Sequence, residues 1–514
     1  MTTIVNKTLG IFATALLIGI IGAHAATLTV DNTGDNGAGT FRQALIDANF
    51  NAEANDIVFS IPITDPGYDS GMNRFTILLA SELPSIPLAA TNITNGPAHA
   101  VTVMGDGTFR ILTLVNSAVV VMTNVTISSG QSGSPGVLKQ KALRSRTQTA
   151  GGVGYGFGGG IYMGDSGTLT LNGCAITDNH ATSLGGGIYM NNSATLNLHR
   201  TTVSGNSGSD GGAIFINNSG TLNIDTSTLS GNSAASGDGG AIYNGTSGTI
   251  NAVNNTFDSN TAAGTGGAIF NTATLTLTSS TVSSNAADNA GGLYNGATAV
   301  LTSNIVALNS ATSSGNDVIG MGSWGIAYSG TYNLIGDADF SEGLTAATNL
   351  YGTTLAPLNP MLGPLQNNGG STLTRALLNG SPAIDQGDSP GITTDGRGRP
   401  RPFDNQLVTN AADGSDIGAF ENILGTSAAN VSMNGRVVDA ATGGSAGIPN
   451  ALVTISDSHG STLTIRSNSF GYFTRTNLPI GTYVVTVSRR GYRFEPQIVN
   501  LVDDLAGITF SSIN

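Results

Sequence analysis

The stretch that decides the fold is residues 158–309, in which one short phrase occurs six times. The phrase joins glycines to an apolar and an aromatic residue: GGGIYM (158–163), GGGIYM (185–190), GGAIFI (211–216), GGAIYN (239–244), GGAIFN (266–271) and GGLYN (291–295). Successive apolar positions lie 27, 26, 28, 27 and 24 residues apart. This period is typical of a solenoid, whose repeats bury their apolar faces only by stacking on one another.

Each repeat is made of strands. Leu169 and Leu171, like Leu222 and Ile224, alternate with polar residues, which is the period of a strand and not of a helix. Three short strands per repeat predict a single-stranded, right-handed parallel β-helix with coils about 4.8 Å apart. We therefore predict an all-β protein, in which this β-helix is followed by a small β-sandwich.

An asparagine closes each repeat, at Asn179, Asn206, Asn232, Asn260, Asn285 and Asn309. We expect these residues to take the left-handed bend at a coil corner and to hydrogen-bond to one another along the axis. The glycine pairs supply unusual backbone angles and need no side-chain room. Both columns are interpreted as architectural.

The GGAI units, with Phe257-Asp258-Ser259-Asn260, resemble the GGAI and FxxN repeats of polymorphic outer-membrane adhesins and autotransporters. The resemblance implies a β-helix displayed at a cell surface, with a role in adhesion.

The N-terminus has the pattern of a secretory signal. Lys7 precedes an apolar run over 9–22, and Ala23-His24-Ala25 is a cleavage site. We expect cleavage after Ala25, a secreted or cell-surface protein, and no membrane-spanning segment in the mature chain. Residues 26–110 are predicted to form an N-terminal cap and the first coils, with a helix over 40–49.

The helix is predicted to begin at Thr40 as its N-cap, with Gln43 as the capping-box partner and Arg42 in an ion pair. Coils then occupy 111–310, interrupted by a basic insertion over 131–157. The insertion carries Lys139, Lys141, Arg144 and Arg146 and no acidic residue. It is either a solvated surface loop or a dock for an anionic polysaccharide.

Residues 311–424 are predicted to be C-terminal coils and a cap. Their phrases NLIG (333–336), NPMLGPL (359–365), SPAID (381–385), DGRG (395–398) and DIGAFE (416–421) closely resemble choice-of-anchor Q domain proteins. That family implies a secreted or surface-linked β-helix without an agreed catalytic role.

A small-residue linker over 425–431 leads to a predicted β-sandwich over 432–514. Its phrases GRVVD (435–439), ALVTI (451–455), FGYF (470–473) and LPIGTY (478–483) resemble carboxypeptidase regulatory-like domains. The resemblance implies a spacer or binding module.

The composition restricts the partners. Charged residues are 10% of the 514, against roughly 25% in typical domains. Without residues 1–25 the chain has 18 basic and 32 acidic side chains, a formal charge of −14. This balance argues against nucleic acid. The one cysteine, Cys174, has no partner within the chain and is predicted to be a buried, inert thiol.

Enzymes that degrade polysaccharides on this fold need converging carboxylates, or a base beside calcium. The only Asp-Asp pair, Asp503-Asp504, lies in the predicted sandwich, and we assign no catalytic residue. Asp210 and Asp238 occupy the same offset in neighbouring repeats, about 5 Å apart. Either they share a calcium ion or they are solvated turn residues. We predict no other cofactor.

The second column is aromatic, since the residue after each apolar position is Tyr162, Tyr189, Phe215, Tyr243, Phe270 or Tyr294. If the apolar column points inward, period 2 places the rings outside, where they would stack sugar rings or contact a partner protein. Alternatively the rings stack inside the core and the apolar column faces solvent.

The leading hypothesis is an exported, non-enzymatic β-helix protein that binds a glycan or matrix, or acts in adhesion, with a polysaccharide or surface protein as partner. The first alternative is a polysaccharide lyase or glycoside hydrolase. The second is an envelope or extracellular scaffold.

Overall fold

A computed structural model describes residues 26–513, with gaps at 52, 87–89, 134–155, 321–327, 406–407, 423–430, 458–461, 479–480 and 502. Four sheets run along one axis, and each regular coil crosses them in the order sheet 4, sheet 1, sheet 2, sheet 3. Their strands are parallel except for Tyr68–Asp69, which pairs antiparallel with Arg74–Leu78. The all-β prediction of a parallel β-helix followed by a sandwich is confirmed. Each coil has one strand more than predicted, because a short strand of two to five residues follows each closing asparagine.

Sheet 1 has eleven strands. They are Ala26–Val30, Asn55–Phe59, Thr91–Asn95, Val119–Thr123, Thr168–Asn172, Thr195–His199, Thr221–Asp225, Thr249–Val253, Thr274–Thr278, Thr298–Thr302 and Tyr328–Thr331. Sheet 2 has twelve strands. They are Tyr68–Asp69, Arg74–Leu78, Ala100–Met104, Val125–Ser128, Ala175–Thr177, Thr202–Ser204, Thr228–Ser230, Thr256–Asp258, Thr281–Ser283, Ile305–Ala307, Leu334–Ile335 and Leu350–Tyr351.

Sheet 3 has seven short strands. They are Gln131–Ser132, His180–Ala181, Ser207–Gly208, Ser233–Ala234, Thr261–Ala262, Ala286–Asn289 and Ser310–Ser314. Sheet 4 has eight strands, which carry the six repeated phrases. They are Leu112–Leu114, Ile161–Met163, Ile188–Met190, Ile214–Ile216, Ile242–Asn244, Ile269–Asn271, Leu293–Asn295 and Val318–Gly320.

The glycine pairs form the corner before sheet 4. Gly185 has φ +65°, a left-handed angle that favours glycine. At Gly186 a Cβ atom would lie 2.3 Å from the carbonyl oxygen of Gly212, so the next coil excludes any side chain there. The architectural interpretation of these glycines is therefore confirmed.

The closing asparagines form a buried ladder, as predicted, but they do not take the left-handed bend. That bend belongs to the residue before each of them: Asp178, Gly205, Gly231, Ser259, Ser284 and Leu308. Asn206 donates both its backbone N–H and its Nδ2 to Oδ1 of Asn232, at 3.1 and 3.0 Å. The side chain points into the coil because its amide satisfies backbone groups of its own coil and of the preceding one: Nδ2 also donates to the carbonyls of Ile176 and Ser204, and Oδ1 accepts from the backbone N–H of Asn179.

The one α-helix among the described residues, Phe41–Phe50, packs on the first coils. Thr40 is its N-cap and accepts a hydrogen bond from the backbone N–H of Gln43, as predicted. The side chain of Gln43 instead donates to Asp47, so the reciprocal half of the capping box is absent. Arg42 forms the predicted ion pair, with Asp35 at 2.7 Å. In the described residues no helix is long and apolar enough to cross a membrane.

The C-terminal segment, residues 359–422, runs back along the outside of sheet 2. Its hairpin, Leu362–Gln366 and Thr374–Leu377, packs across several coils. Arg375 pairs with buried Asp258, and Thr228 Oγ1 donates to the Leu373 carbonyl at 2.6 Å. The outward side chains of these coils are therefore buried, although they belong to the solvent-facing column.

The sandwich has one sheet of three strands and one of four. The first contains Val431–Val438, Tyr472–Leu478 and Leu505–Ser511, and the second contains Leu452–Asp457, Thr462–Arg466, Gly481–Ser488 and Gln497–Leu501. A short 3-10 helix, Ala440–Thr442, follows the first strand. Arg399 pairs with Asp503 at 2.7 Å and connects the C-terminal segment to the sandwich. The predicted linker over 425–431 lies outside the described residues except for Val431.

Candidate functional site

The apolar column of sheet 4 points inward and its aromatic column points outward. Ile161, Ile188 and Ile214 are fully buried in the core. Period 2 then places the next side chain of each strand on the outer face. The rings of Tyr162, Tyr189, Phe215, Tyr243, Phe270 and Tyr294 form one continuous stack there, which we call the aromatic ladder. The alternative with inward rings is wrong, because the apolar side chains already fill the coil.

The rings of the ladder cover one another's faces. Neighbouring centroids are 4.6 to 5.7 Å apart and the ring planes differ by 5° to 24°. At one end the guanidinium of Arg110 lies 5.0 Å above the Tyr162 ring. At the other end Ile319 is in register with Tyr294. Stacking of a sugar against a ring face, as the sequence suggested, therefore does not fit the interior of the ladder.

Phe157 adds a seventh ring that the repeat did not predict. Its ring stacks on Tyr189 at 4.8 Å and 12°, beside Tyr162. It stands before the first glycine of the phrase, so its position in the column could not be read from the period. The seven glycines of residues 151–160 were a signal of close packing, but they do not identify the ring's partner.

The ladder presents ring edges and hydroxyl groups to the outside at Tyr162, Tyr243 and Tyr294, which are partly exposed, whereas Tyr189 and Phe215 are buried. Burial raises the pKa of Tyr162, Tyr243 and Tyr294, and raises the pKa of Tyr189 to about 12. The nearby carboxylates of Asp210 and Asp238 raise the pKa of Tyr243 further. All four phenols are therefore protonated at neutral pH and can donate a hydrogen bond.

Amide side chains follow the ladder on the side where the sheet 4 strands end. Asn191 Nδ2 donates to the Tyr162 hydroxyl at 3.3 Å, and Asn217 Nδ2 donates to Asn191 Oδ1 at 3.1 Å. One turn residue further, Asn218 donates to Asn192 at 2.6 Å. These amides hold each other across neighbouring coils and border the ring edges with donors and acceptors.

The acidic column lies on the opposite side, before the sheet 4 strands. Asp210 Oδ1 accepts from the backbone N–H of Asp238 at 2.9 Å, and Asp238 Oδ1 accepts from Thr265 at 2.7 Å. Burial raises the pKa of Asp238, and the charge of Asp210 adds to this effect. One oxygen of each carboxylate thus joins two coils. The described part of the chain contains no group of three or more His, Cys, Asp or Glu arranged for a metal ion.

We call this surface the ladder strip: the six rings of the ladder with Asp210 and Asp238 on one side and Asn191 and Asn217 on the other. It combines phenol donors, carboxylate acceptors and amides. The basic side chains of 131–157, Lys139, Lys141, Arg144 and Arg146, lie outside the described residues, as does the predicted signal over 1–25. Cys174 is buried, and burial raises its pKa to about 11, which keeps the thiol protonated.

Comparisons with known proteins agree with the two parts of the fold. A model of the right-handed β-helix region matches residues 111–336, and a model of the carboxypeptidase regulatory-like domain matches residues 432–506. The coils are therefore right-handed, and the sandwich is similar to a carboxypeptidase regulatory-like domain. No curated protein matches the chain.

Among solved structures, pectate lyase Pel9A resembles the chain with a TM-score of 0.34 and 13% identity, covering 77% of this chain and 97% of that one. At these values the likeness says nothing about the activity of this chain.

Proposed function

We propose that the protein is an exported, non-enzymatic β-helix that binds neutral glycans of a cell surface or matrix along the ladder strip. The observation that carries the proposal is the outward row of protonated hydroxyls on the partly exposed Tyr162, Tyr243 and Tyr294, which lies between carboxylates and amides. Sugars present hydroxyl groups that both donate and accept, so this row offers them partners of both kinds.

The charge of the strip supports a neutral ligand. Asp210 and Asp238 border it, and Arg110 at its end donates to the carbonyl oxygens of Phe157 and Gly158. A polyanion would meet these carboxylates on a chain that is already acidic. An uncharged chain lying along the axis meets no such repulsion and contacts successive coils.

The proposal is tested by passing the purified full chain over an array of neutral and acidic polysaccharides, with retention and release of reducing ends measured together. The key variant replaces Tyr162, Tyr189, Tyr243 and Tyr294 by Phe. This change keeps the aromatic ladder, which already contains the phenylalanines Phe215 and Phe270, and removes only the hydroxyls. Tyr351→Phe, at an exposed tyrosine outside the ladder, is the matched control.

We expect retention on neutral polymers without product, at least tenfold weaker in the four-site variant and unchanged in the control. Equal retention of the wild type and the four-site variant would contradict the proposal, and so would a preference for acidic polymers. Release of reducing ends or unsaturated products would favour the enzyme alternative instead.

A further inference from the structure

A second repeated surface lies on the outer face of sheet 1. Its strands pair in register, so equivalent outward residues form columns along the axis. The first column is threonine in six successive coils: Thr168, Thr195, Thr221, Thr249, Thr274 and Thr298. Leu196 and Leu198 alternate with this face and are fully buried. Because these leucines point into the core, the residues that alternate with them must point outward.

The second column contains an amide ladder that is open to solvent. Asn197 Nδ2 donates to Thr170 Oγ1 at 3.0 Å, Asn223 to Asn197 at 2.8 Å and Asn251 to Asn223 at 2.9 Å. Asn197 and Asn223 each use one N–H and one acceptor position in this row, and Asn251 uses one N–H. The second N–H and the second lone pair of the partly exposed amides remain for a ligand. Because neighbours fix the amide planes, little side-chain entropy is lost on binding.

The third column places a polar pair beside the amides. His199 Nδ1 lies 2.5 Å from Asp225 Oδ2, and the two side chains are 42% and 47% exposed. They are the outward neighbours of Asn197 and Asn223 in the same strands. Val253 is the apolar member of this column in the next coil. We call the polar outward residues of these three coils the polar comb: Thr195, Asn197, His199, Thr221, Asn223, Asp225, Thr249 and Asn251.

We propose that the polar comb is a second glycan-binding surface, which takes extended neutral polysaccharide chains packed in an ordered, insoluble polymer. Its donors and acceptors repeat every strand, about 4.8 Å along the axis, and every second residue, about 6.6 Å across it. A ligand that matches both repeats is itself a regular array of hydroxyl groups. The inference extends the proposed glycan binding to another face and to a stated physical form of the polymer.

The comb differs from the ladder strip in shape and chemistry. No aromatic side chain stands in its three columns within these coils, so hydrogen bonds carry the contact. A single hydrogen bond contributes little net free energy of binding, so useful affinity requires many of them at once. An ordered polymer surface provides many parallel chains, whereas a single soluble chain contacts one column.

The inference is tested by sedimenting the full chain with microcrystalline cellulose and with chitin. The first variant combines Asn197→Ala, Asn223→Ala and Asn251→Ala. A second, Thr221→Lys, places a long charged side chain in the middle of the face. The matched control combines Ser204→Ala and Ser230→Ala, on the outer side of sheet 2 in the same coils. The four-site Tyr→Phe variant is measured in parallel, and melting temperatures verify folding.

We expect the wild type, the control and the Tyr→Phe variant to sediment with at least one polymer, and both comb variants to lose at least tenfold in bound fraction. Equal sedimentation of the wild type and Thr221→Lys overturns the inference. Loss only in the Tyr→Phe variant also overturns it and leaves the ladder strip as the binding surface. A wild type that binds soluble glycans but neither solid polymer overturns the comb alone, and one that binds no glycan overturns both proposals.

Discussion

Two ladders run along the same coils, and they differ in what they leave unpaired. The buried asparagine ladder uses both N–H groups of each amide, as in Asn232, which donates to the Val203 carbonyl and to Asn260. The aromatic ladder uses the ring faces but leaves the ring edges and hydroxyls of Tyr162, Tyr243 and Tyr294 partly exposed. Repetition is common to both. Only the second has polar groups that a ligand can reach.

The difference shows why a repeated column is not in itself a binding site. A solenoid repeats every feature of its coil, including those that only hold the coils together. The functional question is which groups remain available after the stack has formed. For the aromatic ladder the available groups are phenols, which changes the expected contact from stacking to hydrogen bonding.

The largest effect is expected from breaking the buried ladder. Asn232→Ala removes four hydrogen bonds in a fully buried site, because Oδ1 accepts two from Asn206 and Nδ2 donates two. We expect a loss of about 3–5 kcal/mol in the free energy of unfolding, measured by denaturant titration. Asn251→Ala, in the exposed row, is the control and should change it by less than about 0.5 kcal/mol. Equal losses of unfolding free energy in the two variants would refute the contrast between the buried ladder and the exposed row.

The aromatic ladder is expected to stabilise the coils less. Tyr243→Ala removes two ring contacts, with Phe215 at 4.6 Å and Phe270 at 4.9 Å. We expect about 2–3 kcal/mol of destabilisation from the lost contacts and burial, read as a lower melting temperature. Tyr243→Phe keeps the ring and should melt within the error of the wild type. A large effect of the phenylalanine would mean that the hydroxyl is structural.

The stability contributed by the end of the buried asparagine ladder, at Asn309 and Asp317, should depend on pH. Asp317 Oδ1 accepts from the backbone and side chain of Asn309, at 3.0 and 2.9 Å, and burial raises its pKa to about 6. The folded state thus holds this proton more tightly than the unfolded state. The stability it contributes is present below the ordinary pKa of 3.8 and is lost as the pH rises through 6.

We therefore compare the unfolding free energy of Asp317→Asn with that of the wild type. The other carboxylates titrate in both proteins, so their contribution to the pH dependence cancels in the difference. Relative to the wild type, the unfolding free energy of the variant should rise by about 2 kcal/mol between pH 4.5 and 7.5. A difference that stays constant over this range would contradict the assignment of the titration to Asp317.

The regular coils could be predicted from the sequence because their information is local. The period and the alternation set the register, and the columns of Asp210 and of the rings follow from it. Contacts between distant segments could not be predicted. Asp258 belongs to an outward column and looks exposed, yet Arg375 covers it. The apolar outward residues Ile305 and Ala307 were the available signal that another segment lies on sheet 2.

The sequence pattern also could not predict whether the aromatic rings face the core or the solvent. Period 2 separates Ile161 from Tyr162 but fits either orientation. The volume inside the coil decides between the two orientations, because the space opposite the other sheets accommodates a branched aliphatic side chain. The closing asparagines show the same limit. Their type suggested a left-handed corner, but the preceding residue takes it because the amide is needed inside.

The most direct measurement of the central claim is hydroxyl-radical footprinting of the full chain with and without a neutral polysaccharide that the array retains. Oxidation of Tyr162, Tyr243 and Tyr294 should fall when the polymer is bound, while Phe470 of the sandwich, 68% exposed, should be oxidised equally in both samples. Retention of the polymer with unchanged oxidation along the ladder would show that glycans bind elsewhere and would contradict the account.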